Sequence, residues 1–196
     1  DTSTRSALET PVSEVKKNEY EDISLAAVSA GLYAVLLIYL APISFGPVQL
    51  RLADCLLPLA ALFGWPIIWG ATIGCLVGNI GGGVIAFGAV NPIDVVFGSA
   101  ANFLATLVIF TLRRRRLLAC VLASLIIGFI VGGYLWLFIE PPDLFGMPMP
   151  AWAAMILSIT ASSLIVVAII GLILLSALSR PNAIDALKAR GLRVYA

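Results

Sequence analysis

Long apolar runs that are almost free of charge constrain most strongly how this chain can fold. Between Ile23 and Ser179 the charged residues are five isolated ones and one run of four arginines. The isolated charges are Arg51, Asp54, Asp94, Glu140 and Asp143, and the run is Arg113 to Arg116. Apolar runs of roughly 20 residues are long enough to cross a bilayer as helices. With 61% hydrophobic and 12% charged residues, they predict an all-α integral membrane protein.

The apolar runs divide into six predicted transmembrane helices. They cover about residues 23–41, 52–63, 66–79 or slightly beyond, 92–112, 117–139 and 151–178. The second and third are shorter than the ~20 residues that a spanning helix needs. The turn at Gly64-Trp65-Pro66 leaves open whether these two form one bent element. The fourth has a clear start, because Asn91 can cap the helix that Pro92 begins.

Basic residues predict the orientation of these six helices. They precede the first span, follow the fourth and follow the sixth, at Lys16, Lys17, Arg113–Arg116, Arg180, Lys188, Arg190 and Arg193. With six spans all of them fall on one side, which the positive-inside rule assigns to the cytoplasm. We therefore expect cytoplasmic N- and C-termini. Residues 1–22 form a polar N-terminal segment, 23–179 the membrane domain and 180–196 a basic tail. The outer loops are then 42–51, about 80–91 and 140–150.

Those outer loops contain or adjoin all five isolated charges, and a polar cluster at one mouth of an apolar bundle predicts a binding site for a small polar molecule. Arg51 and Asp54 are three residues apart, so in a helix they share a face and can pair. They either read a ligand or form an ion pair that neutralises two charges near the membrane edge. Asp94 either joins the site or complements the helix dipole from its first turn. Asn102, eight residues later, projects from a similar face two turns deeper.

Amide and aromatic side chains complete the predicted site. Gln49 can donate and accept, and Asn79 is expected to face protein because it lies in an apolar helix. Aromatic residues near this mouth either form an interfacial belt or, with Phe45, a platform on which a ring can stack. Glu140 is either a loop charge or the lip of the site. The candidate substrate-binding residues are Phe45, Gln49, Arg51, Asp54, Asn79, Asp94, Asn102, Trp136 and Glu140.

Several function classes are disfavoured by what the sequence lacks. The chain has no histidine and no P-loop, and its three cysteines, Cys55, Cys75 and Cys120, occur singly. We therefore predict no enzyme activity, no cofactor and no metal site. A net charge of +1 suggests no nucleic-acid partner. The apolar interior also lacks the midplane acid that ion-coupled carriers often use.

A stripe of small residues on the first span suggests where a partner protein that supplies energy could bind. Ala26, Ala30 and Ala34 recur at four-residue spacing, which lets another helix approach closely. The stripe either packs within this bundle or forms a docking face for a partner protein.

Three segments, in order, carry a family resemblance over residues 24–179. They are Ala41-Pro-Ile-Ser-Phe-Gly-Pro-Val-Gln-Leu-Arg51, Trp69-Gly-x-x-x-Gly74-Cys-x-x-Gly78-Asn79 and Asp94-Val-Val-Phe-Gly98-Ser99. With them the chain resembles the substrate-binding S-components of energy-coupling factor (ECF) transporters, and most closely the QueT group. In that group's pattern a glutamate follows the arginine by three residues, where this chain has Asp54.

The resemblance implies uptake of a queuosine precursor or related 7-deazaguanine across a prokaryotic cytoplasmic membrane. The implied partners are an ECF coupling protein (EcfT-like) and two ATPase subunits, which alone would hydrolyse ATP. Membrane lipid surrounds the bundle. A carboxylate can accept the N–H and amino group on one edge of a deazaguanine, and Asp54 or Glu140 is preferred over Asp94. The alternatives are an S-component for another vitamin-like molecule, a solitary secondary carrier, or a structural membrane protein.

Overall fold

The computed structural model describes residues 2–46, 48–143, 146 and 149–195, with side chains from Glu19 onward. In chain order the elements are α1 Thr2–Tyr39, α2 Ala41–Ser44, a 3₁₀ helix Leu52–Leu59, α3 Ala60–Phe63, α4 Trp65–Phe87, α5 Pro92–Thr111, α6 Arg116–Leu135, α7 Ala151–Ser163, a π-helical segment Leu164–Gly171, α8 Leu172–Leu178 and α9 Pro181–Ala189. The described part of the chain contains no strand, which confirms the prediction of an all-α protein.

Five helices are long and apolar enough to cross a membrane. They are Glu19–Tyr39 within α1, α4, α5, α6 and the continuous stretch Ala151–Leu178. The remaining apolar segment, Leu52–Phe63, is shorter and is here called the short span. Its 8 residues of 3₁₀ helix and 4 of α-helix extend about 22 Å, against a hydrocarbon thickness of ~30 Å. The short span is almost wholly buried among the longer helices, and its turn at Gly64 (φ 66°) separates it from α4.

The third predicted span was too short. The prediction ended it near Asn79 and assigned residues 80–91 to an outer loop, whereas α4 continues to Phe87. The glycines that suggested a loop are helical and serve close packing. A methyl group at Gly82 would lie 2.3 Å from the Phe45 ring. The helix ends at Gly88 instead, where φ is 71° and the N–H bonds the carbonyl of Val84 at 2.9 Å.

One other predicted boundary also moved, because helix α6 ends at Leu135 rather than at residue 139. Helix α1 begins at Thr2, and its candidate membrane span, Glu19–Tyr39, is close to the predicted residues 23–41. Lys16 and Lys17, which contributed to the orientation argument, lie outside the residues whose side chains are described.

Helices α1 and α4 pack closely because α4 presents glycines to α1. A methyl group at Gly70 would lie 2.8 Å from the carbonyl oxygen of Ala26, and one at Gly74 would lie 2.7 Å from that of Ala30. Only glycine permits this backbone-to-backbone approach. Ala26 and Ala30 are half-buried and Ala34 is 7% exposed, so the stripe predicted on the first span contributes to packing within the bundle.

The opposite face of α1 has no neighbour among the described residues. In the most apolar window of this helix 17% of the residues are buried, against 39–50% in the other four long spans. Ala27, Gly31, Leu32 and Val35 are exposed on this face, and a side chain at Gly31 would meet open space. Helix α1 is therefore the peripheral member of the bundle.

Helix α5 sets the distance between the two charged ends of the molecule. Its 20 residues extend about 30 Å from Asp94 in the first turn to the arginine run that follows Thr111. The run Arg113–Arg116 therefore lies at the opposite end of the bundle from Arg51 and Asp94, as the sequence predicts.

Candidate functional site

Asp94 joins three elements at the end of the bundle opposite the arginine run. Nη2 of Arg51 donates to both carboxylate oxygens of Asp94, at 3.1 Å each, and the hydroxyl of Tyr134 donates to Oδ1 at 2.6 Å. The pair is buried, because Arg51 and Asp94 are each 6% exposed. Burial by itself lowers the pKa of Arg51, but the Asp94 carboxylate raises it and the net shift is upward. The guanidinium therefore remains charged.

Helix α5 holds Asp94 in place through its N-terminus. The side-chain oxygen of Asn91 accepts from the backbone N–H of Ile93 at 3.1 Å and of Asp94 at 3.4 Å, and Pro92 occupies the first turn. This arrangement is a helix N-cap, which satisfies donors that the helix leaves free. The predicted start of the fourth span at Pro92 is confirmed.

Asn79 presents a free acceptor beside Asp94. Its Nδ2 donates to the backbone carbonyl of Asp94 at 2.9 Å. Because a carbonyl only accepts, this bond fixes which way the amide points. The Oδ1 atom is then directed away from Asp94, and it is buried without a partner among the described residues. Such a group is costly unless a ligand or water binds it.

Gln49 presents a second free amide in a strained backbone conformation. Its φ is 48°, and among the described residues it is the one non-glycine residue with a positive φ. The side chain is 3% exposed, and neither Nε2 nor Oε1 has a hydrogen-bond partner in the described part of the chain. Strain and an unsatisfied buried amide at one residue are typical of a binding site.

These polar groups line one wall of a cavity of about 390 Å³. Gln49, Asn79, Asn91 and Asp94 are its polar lining, and the rest is apolar: Phe45, Gly83, Phe87, Ala89, Val90, Pro92, Leu135, Phe138 and Ile139. A few convergent polar groups in an apolar cavity of ~300–1,000 Å³ are typical of small-molecule sites. The cavity is bordered by the loop after α4 and by the end of α6.

Phe45 forms an aromatic wall of this cavity. Its ring meets Phe87 edge-on at 6.1 Å between centroids, and the guanidinium carbon of Arg51 lies 5.4 Å from its centroid. The absence of a side chain at Gly82 lets the ring lie against α4. Phe45 is thus fixed by three neighbours, and it can offer a face to a flat ligand.

A second polar cluster lies behind the cavity. The hydroxyl of Tyr33 donates to Oδ1 of Asp54, and Nδ2 of Asn102 donates to the Tyr33 hydroxyl at 2.7 Å. All three side chains are buried. They join α1, the short span and α5, but they are not part of the cavity lining. Asp54 and Asn102 were predicted as substrate-binding residues, whereas here they support the elements that form the site.

Arg51 does not pair with Asp54, which was one of the two alternatives that their spacing left open. Spacing of three residues brings side chains together only in a helix, and the backbone of Arg51 is not helical, with φ −79° and ψ 84°. Arg51 therefore reaches α5 and pairs with Asp94, while Asp54 bonds Tyr33.

Two further candidates lie outside the cavity lining. Trp136 is 36% exposed and donates Nε1 to the carbonyl of Gly133 at 2.9 Å. Glu140 is exposed, in the segment after α6. The sequence argument did not assign Asn91, Tyr33 or the hydroxyl of Tyr134 to the site, because it treated Asn91 as a helix cap and considered Tyr134 only for its ring. A tyrosine in an apolar helix resembles a core or interfacial aromatic, so its hydroxyl gives no separate signal.

An all-helical bundle of this kind, with five apolar helices long enough to cross a bilayer and a polar-lined cavity at one end, is typical of a multi-pass membrane protein that binds a small molecule. The profile of the family described as QueT transporter matches residues 23–180. The chain therefore belongs to the QueT transporter family, which makes it a transport protein rather than an enzyme. The comparison with curated proteins returned no match, and neither did the comparison with solved structures.

Proposed function

We propose that this chain is the substrate-binding membrane subunit of an ECF-type importer and that it takes up a queuosine precursor or related 7-deazaguanine. The observation that carries the proposal is that one cavity with an aromatic wall contains the buried Gln49 amide, which has no described partner, and the buried Oδ1 of Asn79, which has none either. Membership of the QueT transporter family supports the same substrate class.

The free groups of the cavity complement the edge of a deazaguanine. A primary amide such as that of Gln49 offers one donor and one acceptor side by side. It can donate to the carbonyl oxygen of the base and accept from the adjacent ring N–H. The neighbouring amino group then has Oδ1 of Asn79 or Oδ2 of Asp94 as its acceptor. Every hydrogen-bonding group on that edge of the base has a partner in this arrangement.

Asp94 replaces Asp54 and Glu140 as the preferred carboxylate. Among these three acids only Asp94 belongs to the described cavity lining. Arg51 already neutralises it, so the neutral ring of a deazaguanine can bind beside it without bringing a countercharge. Phe45 supplies the stacking surface, which contributes ~1–3 kcal/mol per base in aromatic–base contacts.

Energy for release would come from partner subunits, because the chain binds without an energy source of its own. The partners in this proposal are a coupling protein in the membrane and two ATPase subunits in the cytoplasm of a prokaryotic cell. The exposed face of α1 around Ala27 and Gly31 favours a docking surface there. Its small residues allow close approach of another helix, and this helix is the least buried of the long spans.

The substrate can be tested by ligand-induced stabilisation of the purified protein. A ligand that binds the folded state raises its apparent stability, by ~2.7 kcal/mol at 100 times Kd. We expect 7-cyano-7-deazaguanine, 7-aminomethyl-7-deazaguanine or queuine to raise the Tm, and 7-deazahypoxanthine, which lacks the amino group, to do so less.

The matched control is Glu140→Gln, which changes a nearby acid outside the cavity and should keep the full shift, whereas Gln49→Ala should lose it. Absence of any shift with the deazaguanines and with guanine would refute the substrate assignment. Uptake that persists in cells without the ATPase subunits would instead favour a solitary carrier.

A further inference from the structure

A second cavity lies at the opposite end of the bundle, between the α5–α6 turn and the C-terminal segment. It has a volume of about 390 Å³ and is lined by Arg113, Arg114, Arg116 and Tyr195. Three guanidinium groups thus surround one space.

Neutral partners position two of these three guanidinium groups, those of Arg113 and Arg116. Nη1 of Arg113 donates to the carbonyl of Phe110 at 3.2 Å, and its guanidinium carbon lies 4.9 Å from the Phe110 ring centroid and 5.6 Å from that of Tyr195. Nη1 of Arg116 donates to Oγ of Ser179 at 2.8 Å. Within the described residues, the recorded ion pair joins Arg51 and Asp94, and none involves these arginines. In the part of the chain that the structure describes, their positive charges therefore lie near one another without a countercharge.

The start of α6 adds to the same positive potential. The helix begins at Arg116, its N-cap is Arg115, no side chain caps it and its first turn contains no acid. No described side chain therefore binds the backbone N–H groups of the first turn, and the positive end of the helix dipole lies beside the arginines. Cations are disfavoured at a helix N-terminus, so this local sequence is unfavourable unless an anion compensates it.

The C-terminal segment closes the cavity from the other side. The backbone N–H of Tyr195 donates to the carbonyl of Leu62 at the end of the short span, at 2.7 Å. Its ring packs edge-on against Phe110, with centroids 5.2 Å apart. A methyl group at Gly64 would lie 3.0 Å from that ring, so the turn accommodates Tyr195 closely. The wall is therefore part of the packed structure.

We propose that this cavity binds a phosphate group, supplied by the headgroup of an anionic phospholipid or by a free phosphate. Guanidinium groups suit phosphate because their planar donors form paired, charge-assisted hydrogen bonds with it. The bound anion compensates the uncapped N-terminus of α6. It also links the α5–α6 turn to the C-terminal segment, and through Tyr195 to the end of the short span.

The test compares the full-length protein in nanodiscs of phosphatidylcholine with and without phosphatidylglycerol, and in phosphatidylcholine with inorganic phosphate against chloride at equal ionic strength. We expect phosphatidylglycerol, inorganic phosphate or both to raise the Tm above that in phosphatidylcholine, whose phosphate is neutralised by its own choline. A rise with phosphatidylglycerol alone identifies the lipid headgroup as the source, whereas a rise with inorganic phosphate, alone or together with phosphatidylglycerol, identifies a site open to free phosphate. No rise in either arm overturns the proposal.

A charge-preserving variant separates this site from general attraction to an anionic membrane. The double substitution Arg113→Lys and Arg116→Lys keeps every positive charge and the positive-inside pattern, but it loses the paired donors. The half-saturating lipid or phosphate level should rise roughly tenfold or more. Arg180→Lys with Arg190→Lys is the matched control and should leave it unchanged. If both double variants have the same half-saturating level, the site is refuted. Tyr195→Leu removes one wall of the cavity and should weaken binding, as the Arg113→Lys and Arg116→Lys double variant does.

Discussion

The side-chain amide of Asn79 donates to the backbone carbonyl of Asp94, and Gly98 provides the space in which this bond forms. A methyl group at Gly98 would lie 2.7 Å from Nδ2 of Asn79 and 3.6 Å from Oδ1 of Asp94. One glycine on α5 thus determines where an amide on α4 can point, and with it the direction of the free Oδ1 acceptor.

Replacing Gly98 with alanine should therefore displace the Asn79 amide. We expect the affinity for a deazaguanine to fall roughly tenfold or more, because one buried acceptor is misplaced. Calorimetric titration of the purified protein measures the change. The matched control is Gly133→Ala on α6, where the added methyl meets nothing within 4 Å. If both variants bind with wild-type affinity, Gly98 does not act through Asn79.

The buried pair of Arg51 and Asp94 should show strong energetic coupling. Arg51→Met leaves a buried carboxylate without its cation, which costs ~3–5 kcal/mol in soluble proteins. Asp94→Asn leaves the guanidinium unpaired and should also destabilise. The double variant should lose less than the sum of the two, with an interaction energy of ~0.5–3 kcal/mol. Unfolding of all four proteins in one detergent gives this quantity, and additive losses would contradict a direct pair.

Gln49 should destabilise the free protein through its strained backbone and contribute to ligand binding through its side-chain amide. Gln49→Gly relieves the positive φ by up to ~1–2 kcal/mol and removes the unsatisfied amide, so the free protein should be at least as stable as the wild type. Its response to deazaguanines should disappear. Gln49→Asn is the informative control, because asparagine tolerates this backbone conformation but places its amide one methylene shorter. A Gln49→Gly variant that keeps full affinity would exclude the amide from recognition.

The exposed face of α1 should be necessary for assembly with a coupling protein. Gly31→Leu adds a side chain that points into open space, so it should block close helix approach while the response to ligand stays unchanged. Ala30→Leu is a less specific test, because Ala30 packs against Gly74 and the larger side chain would also disturb the bundle. Co-purification of the coupling protein and the ATPase subunits measures assembly. Gly133→Leu makes the same change at an exposed position of α6 and should leave assembly intact. If both variants lose assembly, or if neither does, this face of α1 is not the docking surface.

The sequence predicts most of the bundle because its boundaries have local causes. Asn91 and Pro92 mark the start of α5 by capping chemistry that needs no neighbour. The end of α4 could not be predicted in this way. Glycine is a helix breaker in isolation, and the glycines at Gly81–Gly83 stay helical because Ile38 and Phe45 pack directly against them. Tertiary contact overrides propensity there, and one sequence does not reveal that contact.

The sequence predicted which residues line the cavity better than it predicted which residues contact one another. Phe45, Gln49, Asn79 and Asp94 were all expected, because polar groups near the end of apolar helices stand out. Their roles depend on partners far along the chain. Arg51 meets Asp94 across 43 residues, and Asn102 meets Tyr33 across 69. Local spacing allowed Asp54 as the partner of Arg51 instead, since it assumes a helix where the backbone of Arg51 is not helical.

The geometry of the short span sets how far the residues at its start could move. Eight of its residues, Leu52–Leu59, form a 3₁₀ helix, which rises ~2.0 Å per residue against ~1.5 Å in an α-helix. Rewinding them into α geometry would contract the segment by about 4 Å. Tyr195 holds the other end of the segment through its hydrogen bond to Leu62, so the contraction would move Arg51 towards Leu62. A change of helix type within one buried segment would thus act on Asp94, the partner of Arg51 in the cavity lining.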